Sequence, residues 1–211
     1  MTQHSSPLYV YGITDTGDVS LDNNGIDDAS VSTFQHRNLW ALVSEVSGTE
    51  VDRTDENLEA HDRVLRETLD GGGGRSVVPM RFGMVFRDEQ TLANVLNGAY
   101  PSLRAALNEL ENTVELGIKV VAPSANGHDN EAIREAAADT LDPISVATTE
   151  NDLFSDRLLL NRSFLVRHED RDEFGEAVAT FEERIDDRTA VQYTGPWAPY
   201  NFVDIEIGAQ R

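Results

Sequence analysis

The chain of 211 residues contains no cysteine and only one lysine, Lys119. Without cysteine it has no disulfide, no thiolate ligand for a metal and no cysteine nucleophile, which excludes the small extracellular domains that depend on disulfides. A chain of this length is long enough to bury a hydrophobic core in one large domain or two small ones without such cross-links.

Long hydrophobic runs are also missing. The longest apolar stretches, such as residues 76–86 and 117–123, fall well short of the roughly 20 residues that a membrane helix needs. Residues 1–7 lack the charged and apolar regions of a signal peptide. The sequence therefore predicts a soluble cytoplasmic protein with no membrane partner.

Positive charge is scarce, because 17 basic residues stand against 38 acidic residues and give a formal net charge of −21. The acids are spread along the chain, which argues against an acidic tail on a neutral domain. Such a chain repels itself in dilute salt, but the Debye length falls to about 3 Å at 1 M, so molar salt removes most of that penalty. We infer the salt-rich cytoplasm of a halophilic archaeon. Nucleic acid is excluded as a partner, because its binding depends on basic contacts to phosphates.

Hydrophobic periodicity predicts an α+β fold with two domains, residues 1–112 and 113–211. In the first domain, strands are predicted at 8–14, 39–46 and 76–86, and helices at 55–69, 88–97 and 102–111. The glycine run at 71–74 is predicted as a connection, because it lacks both the GK[ST] sequence and the strand-to-helix order of a phosphate loop.

The second domain is predicted to follow the order β-α-β-β-α-β, which is that of a ferredoxin-like sandwich. Its helices are predicted at 129–141 and 170–186. Its strands are predicted at 114–122, 144–149, 162–167 and, as one interrupted strand, at 191–193 with 202–207. In the second helix, a stripe of apolar residues at helical spacing is expected to face the core: Phe174, Val178, Phe181 and Ile185.

Patterns that carry catalysis or bind metals are sparse. His61 and Asp62 are adjacent and are residue types that ligate divalent ions, but the other four histidines lack a spacing that would supply further ligands. No G-x-S-x-G elbow is present, and no triad can be recognised. The sequence therefore predicts no metal site, no cofactor and no enzyme activity.

Two segments are distinctive. Residues 76–86 (SVVPMRFGMVF) have the apolar side chains of a buried strand, with Gly83 at a predicted bulge or close contact. Within them, Arg81 either pairs with a neighbouring carboxylate or contacts a partner. Residues 194–202 (TGPWAPYNF) combine two stiffening prolines with three aromatic side chains, which suit either a packed core or an interface anchor.

These two segments resemble the gas vesicle accessory proteins of the GvpF/GvpL family, and the length is closer to the F form. The resemblance implies two α+β domains, the second one ferredoxin-like. It also implies a non-enzymatic minor component of the gas vesicle that acts with other accessory Gvp proteins. Such a protein binds the shell protein GvpA, limits its aggregation and helps to nucleate the vesicle. The candidate partner-binding residues are Arg81, Trp197, Tyr200 and Phe202.

A physical account of this binding is that exposed sheet edges and aromatic surface pair with strands of the shell protein, while the acidic exterior keeps the complex soluble. No small-molecule substrate is expected for that function. The alternative is a regulatory module or enzyme that binds a small molecule in the cleft between the two domains, since ferredoxin-like folds host many such functions.

Overall fold

The computed structural model describes residues 6–19, 21, 24–71, 75–124 and 129–205. Contacts divide the chain into two units, of which the second is Thr113–Trp197. The first unit combines the chain up to Asn112 with the segment that starts at Ala198. The two sequence-defined domains, 1–112 and 113–211, stay a prediction. No helix in the described ranges is long and apolar enough to cross a membrane.

The first unit is a mixed α/β structure. Its elements are β1 (Leu8–Thr14), β2 (Ser32–His36), β3 (Leu39–Glu45), α1 (Asp55–Asp70), β4 (Val77–Pro79), β5 (Val85–Phe86), α2 (Glu89–Gly98) and α3 (Tyr100–Glu109). The strands are antiparallel in the order β2-β3-β1-β4, and β5 also pairs with β1. β1 has neighbours on both sides, and all seven of its residues are buried.

Helix α1 lies where the sequence predicts a helix, and one of its faces is buried. It begins after Thr54, whose hydroxyl oxygen accepts a hydrogen bond from the main-chain N–H of Asn57 at 3.1 Å. The buried residues recur at helical spacing and contact β1 and β4: Asn57, Ala60, His61, Val64, Leu65, Thr68 and Leu69. The predicted connection that follows α1 falls mainly on residues 72–74, which lie outside the described residues.

The prediction of one continuous strand at 76–86 is wrong in its middle. β4 and β5 both pair with β1, but six residue steps from Pro79 to Val85 lie opposite three steps from Gly12 to Tyr9. Three extra residues therefore loop out of the sheet. Two features account for the loop-out: Pro79 has no main-chain N–H to donate, and Gly83 has a φ of +89°, which favours glycine.

Strand β2 is absent from the sequence prediction. Its five residues, STFQH, are exposed or half-buried, so they lack the apolar alternation that marks a strand with one buried face. The strand forms because it pairs with β3 across a tight turn, in which Arg37 has a φ of +56°. Pairing with a buried neighbour therefore determines this edge strand.

The second unit is a four-stranded antiparallel sheet with two helices. Its elements are β6 (Thr113–Val121), α4 (Asn130–Thr140), β7 (Ala147–Glu150), β8 (Leu158–Arg167), α5 (Arg171–Arg184) and β9 (Ala190–Trp197). The strand order is β7-β8-β6-β9. Phe174, Val178 and Phe181 are buried as predicted, whereas Ile185 lies just after the end of α5 and is half-buried. The Phe174 ring lies 5.2 Å from that of Phe164 on β8.

The predicted strand at 202–207 is wrong for its described part. Tyr200–Phe202 form a turn of 3-10 helix, residues 203–205 are in no strand, and residues 206 and 207 lie outside the described residues. Instead, β9 extends from the predicted 191–193 as far as Trp197. The main chain leaves the sheet after Trp197, and Pro199, which has no N–H to donate, cannot continue the ladder.

Candidate functional site

A tyrosine–histidine cluster occupies the interior of the first unit. It consists of Tyr9 and Tyr11 on β1, His61 on α1, Phe82 in the loop-out and Tyr200 in the segment after β9. The Tyr9 ring centroid lies 4.9 Å from that of Tyr11, 5.6 Å from that of His61 and 5.9 Å from that of Phe82. The cluster therefore joins both distinctive segments of the sequence to the central strand of the sheet.

His61 uses both of its ring nitrogens. Its Nδ1 lies 2.6 Å from the Tyr9 hydroxyl oxygen, and its Nε2 lies 3.1 Å from the Met80 carbonyl oxygen and 2.8 Å from the Tyr200 hydroxyl oxygen. A carbonyl oxygen can only accept, so we assign the ring proton to Nε2, while the Tyr9 hydroxyl donates to Nδ1. One imidazole thus holds three segments that are far apart in the sequence.

The protonation of this cluster follows from its burial. Burial lowers the pKa of His61 to about 4, and the hydrogen bond to Met80 offsets part of that shift. Burial also raises the pKa of Tyr9 and of Tyr200 above that of an ordinary phenol. The Tyr200 residue is 38% exposed, but its hydroxyl end is the part that reaches inward to His61. At neutral pH the imidazole is neutral and the phenols are protonated, which suits a structural role better than proton transfer.

Tyr11 lies at the centre of a second buried hydrogen-bond chain. Its hydroxyl oxygen accepts from the main-chain N–H of Ile26 at 2.9 Å and lies 2.8 Å from the Ser44 hydroxyl oxygen. Since Ser44 donates to the Ser30 carbonyl at 3.0 Å, Tyr11 is the donor to Ser44. The chain ties the loop before β2 to the two central strands, β1 and β3.

The predicted partner-binding residues have different environments. Arg81 is exposed in the loop-out, and it forms neither an ion pair nor a hydrogen bond with any residue in the described ranges. The carboxylate partner considered for Arg81 is therefore not found there. Tyr200 binds His61, and Phe202 is half-buried in the same segment of the first unit. Trp197 is half-buried at the end of β9 in the second unit.

The edge strand β9 was not among the predicted binding features, and of the candidate residues only Trp197, at its end, belongs to it. Within the described part of the chain it pairs with β6 and with no other strand, and five of its eight residues are exposed. Its sequence, AVQYTGPW, contains no charged residue, although 26% of the chain is charged. The uncharged stretch extends beyond the strand, over residues 189–203, but residues 90–103 also carry no charge, so composition alone did not mark β9.

The opposite edge of the same sheet differs. Strand β7 has four residues, and its Glu150 pairs with Arg162 at 3.4 Å. Short length, charge, proline and bulges are the usual protections of a sheet edge. β9 has Pro196 and an irregular register near its end, but its part in regular register with β6, residues 190–194, has neither charge nor proline. The arrangement of β9 therefore suits pairing with a strand of another protein.

No group of three or more His, Asp or Glu side chains is placed to hold a metal ion among the described residues. In particular, His61 is engaged with Tyr9, Met80 and Tyr200. Asp62, the other half of the sequence pair, forms an ion pair with Arg66 at 3.0 Å. The pair therefore has no further ligand with which to form a metal site in this part of the chain.

Comparison with known sequences gives a consistent result. The profile of the family described as "Gas vesicle synthesis protein GvpL/GvpF" matches residues 7–133 and 126–204. The chain is 49% identical to Gas vesicle protein F of Haloferax mediterranei over 208 residues, which cover 98% of each chain. It is 48% identical to Gas vesicle protein F1 of Halobacterium salinarum over 97% of this chain and 96% of the relative.

Solved structures share the fold. The crystal structure of GvpF from Anabaena matches with a TM-score of 0.85 at 23% identity, over 96% of this chain and 98% of that one. The crystal structure of GvpF from Microcystis aeruginosa matches with a TM-score of 0.82 at 20% identity, over 95% and 100% of the two chains. At these identities the likeness establishes the fold alone.

Proposed function

The chain belongs to the GvpL/GvpF family of gas vesicle proteins, and on that basis we propose that it binds the shell protein GvpA during gas vesicle formation. Family membership places it in vesicle formation. The finer role is to hold shell subunits in solution, limit their aggregation and help to nucleate the vesicle, together with other accessory Gvp proteins and as a minor component of the vesicle. The observation that carries the proposal is the uncharged edge of β9 at residues 190–194, which has no second neighbouring strand among the described residues.

An exposed strand edge binds extended segments by adding a strand. The free N–H and C=O groups of the edge supply affinity that depends little on sequence, while side-chain pockets supply specificity. A small shell protein that aggregates through its own strands would present such segments. The regular part of β9, residues 190–194, offers five residues, mostly exposed and without charge, for that pairing.

The acidic surface contributes the second half of the mechanism. A complex between an edge strand and an aggregating subunit stays soluble only if its outer surface resists further association. The net charge of −21 provides mutual repulsion between such complexes. Molar salt weakens this repulsion without removing the hydration of the carboxylates, so the effect is strongest at the lower end of the salt range in which the protein folds.

The test is co-expression of the full chain with GvpA, followed by lysis in molar salt and measurement of soluble, co-purified GvpA. We expect a complex and less insoluble GvpA than in its absence. Thr194→Lys places a charge in β9 and should lower the co-purified amount severalfold. Thr180→Lys makes the same chemical change on the exposed face of α5 and should leave it unchanged.

Absence of a complex with the folded wild-type protein would refute the proposal. Equal losses for Thr194→Lys and Thr180→Lys would show that added charge, rather than the β9 edge, affects binding. Circular dichroism and thermal unfolding of each variant establish that the protein remains folded, so that lost binding is not confused with lost structure.

The aromatic segment is proposed as a second contact for the same partner. We propose that Arg81, Trp197, Tyr200 and Phe202 contribute to partner binding, because Arg81 has no carboxylate partner in the described ranges and the three aromatic residues remain partly exposed. Arg81→Ala should reduce co-purified GvpA without changing the unfolding temperature. A fall in that temperature instead would make Arg81 a structural residue.

The second unit is proposed to be a ferredoxin-like sandwich. Its elements follow the order β-α-β-β-α-β, and its first and third strands, β6 and β8, are the central pair of the sheet. Both edges of the sheet are then the second and fourth strands, β7 and β9. This topology supports the proposal because it leaves the last strand of the motif free for a partner.

A further inference from the structure

We propose that a surface pocket of the second unit binds a short segment of a partner protein that carries a carboxylate beside a large apolar side chain. The pocket has a volume of about 300 Å³, and its lining includes Lys119, Phe154, Arg157 and Gln192 together with the aliphatic Val121 and Leu158. This proposal does not depend on the proposed function, because the pocket is formed by side chains on one face of the sheet and by a loop, whereas GvpA is proposed to bind the edge of β9.

The sheet register brings the polar side of the pocket together. Lys119 on β6 lies opposite Gln192 on β9. Arg157 lies in the loop before β8, and two hydrogen bonds hold it at the end of β6. Its Nε donates to the Ala122 carbonyl at 2.9 Å, and its own carbonyl accepts from the Ala122 N–H at 2.8 Å. Since a guanidinium has five N–H donors, the terminal nitrogens remain to bind an anion.

The charged residues that line the pocket, Lys119 and Arg157, are both cations. Some arginines of the described ranges form ion pairs with carboxylates, among them Arg66 and Arg162, and others such as Arg81 do not. Across the described ranges, neither Lys119 nor Arg157 has such an ion pair, although acidic residues outnumber basic ones by 38 to 17. Two cations that line one pocket without an internal carboxylate are complementary to a carboxylate from outside.

The apolar side of the pocket is Phe154, which is 75% exposed. Its ring lies 5.6 Å from the Lys119 Nζ. The loop that presents it is anchored to β8: the Asn151 main-chain N–H donates to the Asn161 carbonyl at 2.8 Å, and the Asn161 side chain donates to the Asp152 carbonyl at 2.9 Å. The exposure of Phe154 is therefore held in place by hydrogen bonds, which is how an aromatic interface anchor is presented.

The openness of the site favours a protein segment over a free metabolite. Small-molecule sites enclose most of their ligand, whereas Phe154 and Arg157 stand largely in solvent. A protein partner can cover them from above, shielding the ion pair from water and burying the phenyl ring. The occupant is then one acidic and one apolar side chain of a docked segment.

The single lysine makes a direct test available, because the chain has only two amines, Lys119 and the amino terminus. Full-length protein in about 1 M salt is acetylated slowly, and both sites are followed by peptide mass spectrometry. The probe is a capped peptide, Gly-Asp-Phe-Asp-Gly. In the control peptides, Asn replaces each Asp or Ala replaces Phe. A small molecule with the same two groups, 3-phenylpropionate, is tested in parallel. We expect the acidic aromatic peptide alone to slow acetylation of Lys119, by about fivefold or more at saturation, with the amino terminus unaffected.

Variants test the remaining contacts through the affinity of the same peptide. Phe154→Ala should weaken binding about tenfold and Arg157→Gln about fivefold. Leu153→Ala, at the neighbouring exposed residue, and Arg134→Gln, on α4, are the matched controls and should bind as the wild type does.

Several results would overturn the proposal. They are unchanged acetylation of Lys119 with every peptide, equal protection by the Asn peptide, or equal weakening by the control variants. Equal protection by 3-phenylpropionate would make the pocket a small-molecule site instead of a docking site. None of these results bears on GvpA binding through β9, which the Thr194→Lys variant tests separately.

Discussion

Lowering the pH from 7.5 to 5 should destabilise the folded protein through a single buried residue, His61. The residue is 3% exposed, and burial lowers its pKa from the ordinary 6.5 to about 4. Between those two values the unfolded chain binds a proton at His61 that the folded protein does not. Stability from this residue is therefore fully present above pH 6.5 and is lost as the pH falls toward 4.

The magnitude follows from the two pKa values. At pH 5, proton binding to His61 raises the statistical weight of the unfolded state by a factor of about 30 and that of the folded state by a factor of only about 1.1. The free energy of unfolding therefore falls by about 2 kcal/mol. The cause is burial rather than a neighbouring charge, so molar salt should leave the effect in place. The titratable groups that face the ring are Tyr9, Tyr11 and Tyr200 among the described residues, and their raised pKa values keep them protonated over this range.

The assay is urea unfolding at pH 7.5 and pH 5 in constant molar salt, with the wild type compared with His61→Gln. Both proteins carry the same acidic residues, so subtraction cancels most of the carboxylate titration. The wild type should lose about 2 kcal/mol more than His61→Gln. Tyr11→Phe retains His61 and is a control for general destabilisation, since it should lose as much as the wild type. Equal losses for the wild type and His61→Gln, within about 0.5 kcal/mol, would refute the reasoning.

Two further predictions concern stability at neutral pH. Tyr11→Phe leaves a buried main-chain N–H without its acceptor and should cost about 2 to 3 kcal/mol, whereas Tyr200→Phe should cost about 1 kcal/mol or less, because its partner His61 keeps its bond to a carbonyl. Similar costs in urea unfolding would contradict this assignment. Gly195→Ala should lower the unfolding temperature more than Gly83→Ala. Both glycines have positive φ, but a Cβ at Gly195 would lie 2.8 Å from the Glu115 carbonyl oxygen, while one at Gly83 meets nothing within 4 Å. A smaller or equal effect at Gly195 would refute the close approach.

Most helices could be predicted from the sequence, because their signals are local. In α5, Phe174, Val178 and Phe181 mark the buried face by spacing alone, and the structure confirms them. The strands were predicted less well, because strand formation depends on a partner. β2 has no apolar alternation of its own and exists through its pairing with β3. The loop-out at Arg81 interrupts a segment whose composition is that of one continuous strand.

The candidate site was predictable only in part. The sequence marked Tyr200 as one of the aromatic residues in segment 194–202. It did not predict the hydrogen bond to His61, because that bond joins residues 139 positions apart. No local pattern encodes such a contact. The pocket around Lys119 was not predicted at all, since its cations and its phenylalanine come from a strand and a separate loop.

The sequence by itself determined the lack of cysteine chemistry, the acidic character, the α+β class and, through two segments, the family of gas vesicle proteins. Composition belongs to the chain as a whole and short-range periodicity to residues close in the sequence, so both can be determined without knowing the fold. Only the tertiary structure decided that the segment from Ala198 groups with the first unit, that β9 pairs with β6 alone among the described strands and that Phe154 stands beside Lys119. Each of these features depends on contacts between parts of the chain that are far apart in the sequence. Such contacts form only when the folded chain packs and excludes water between them.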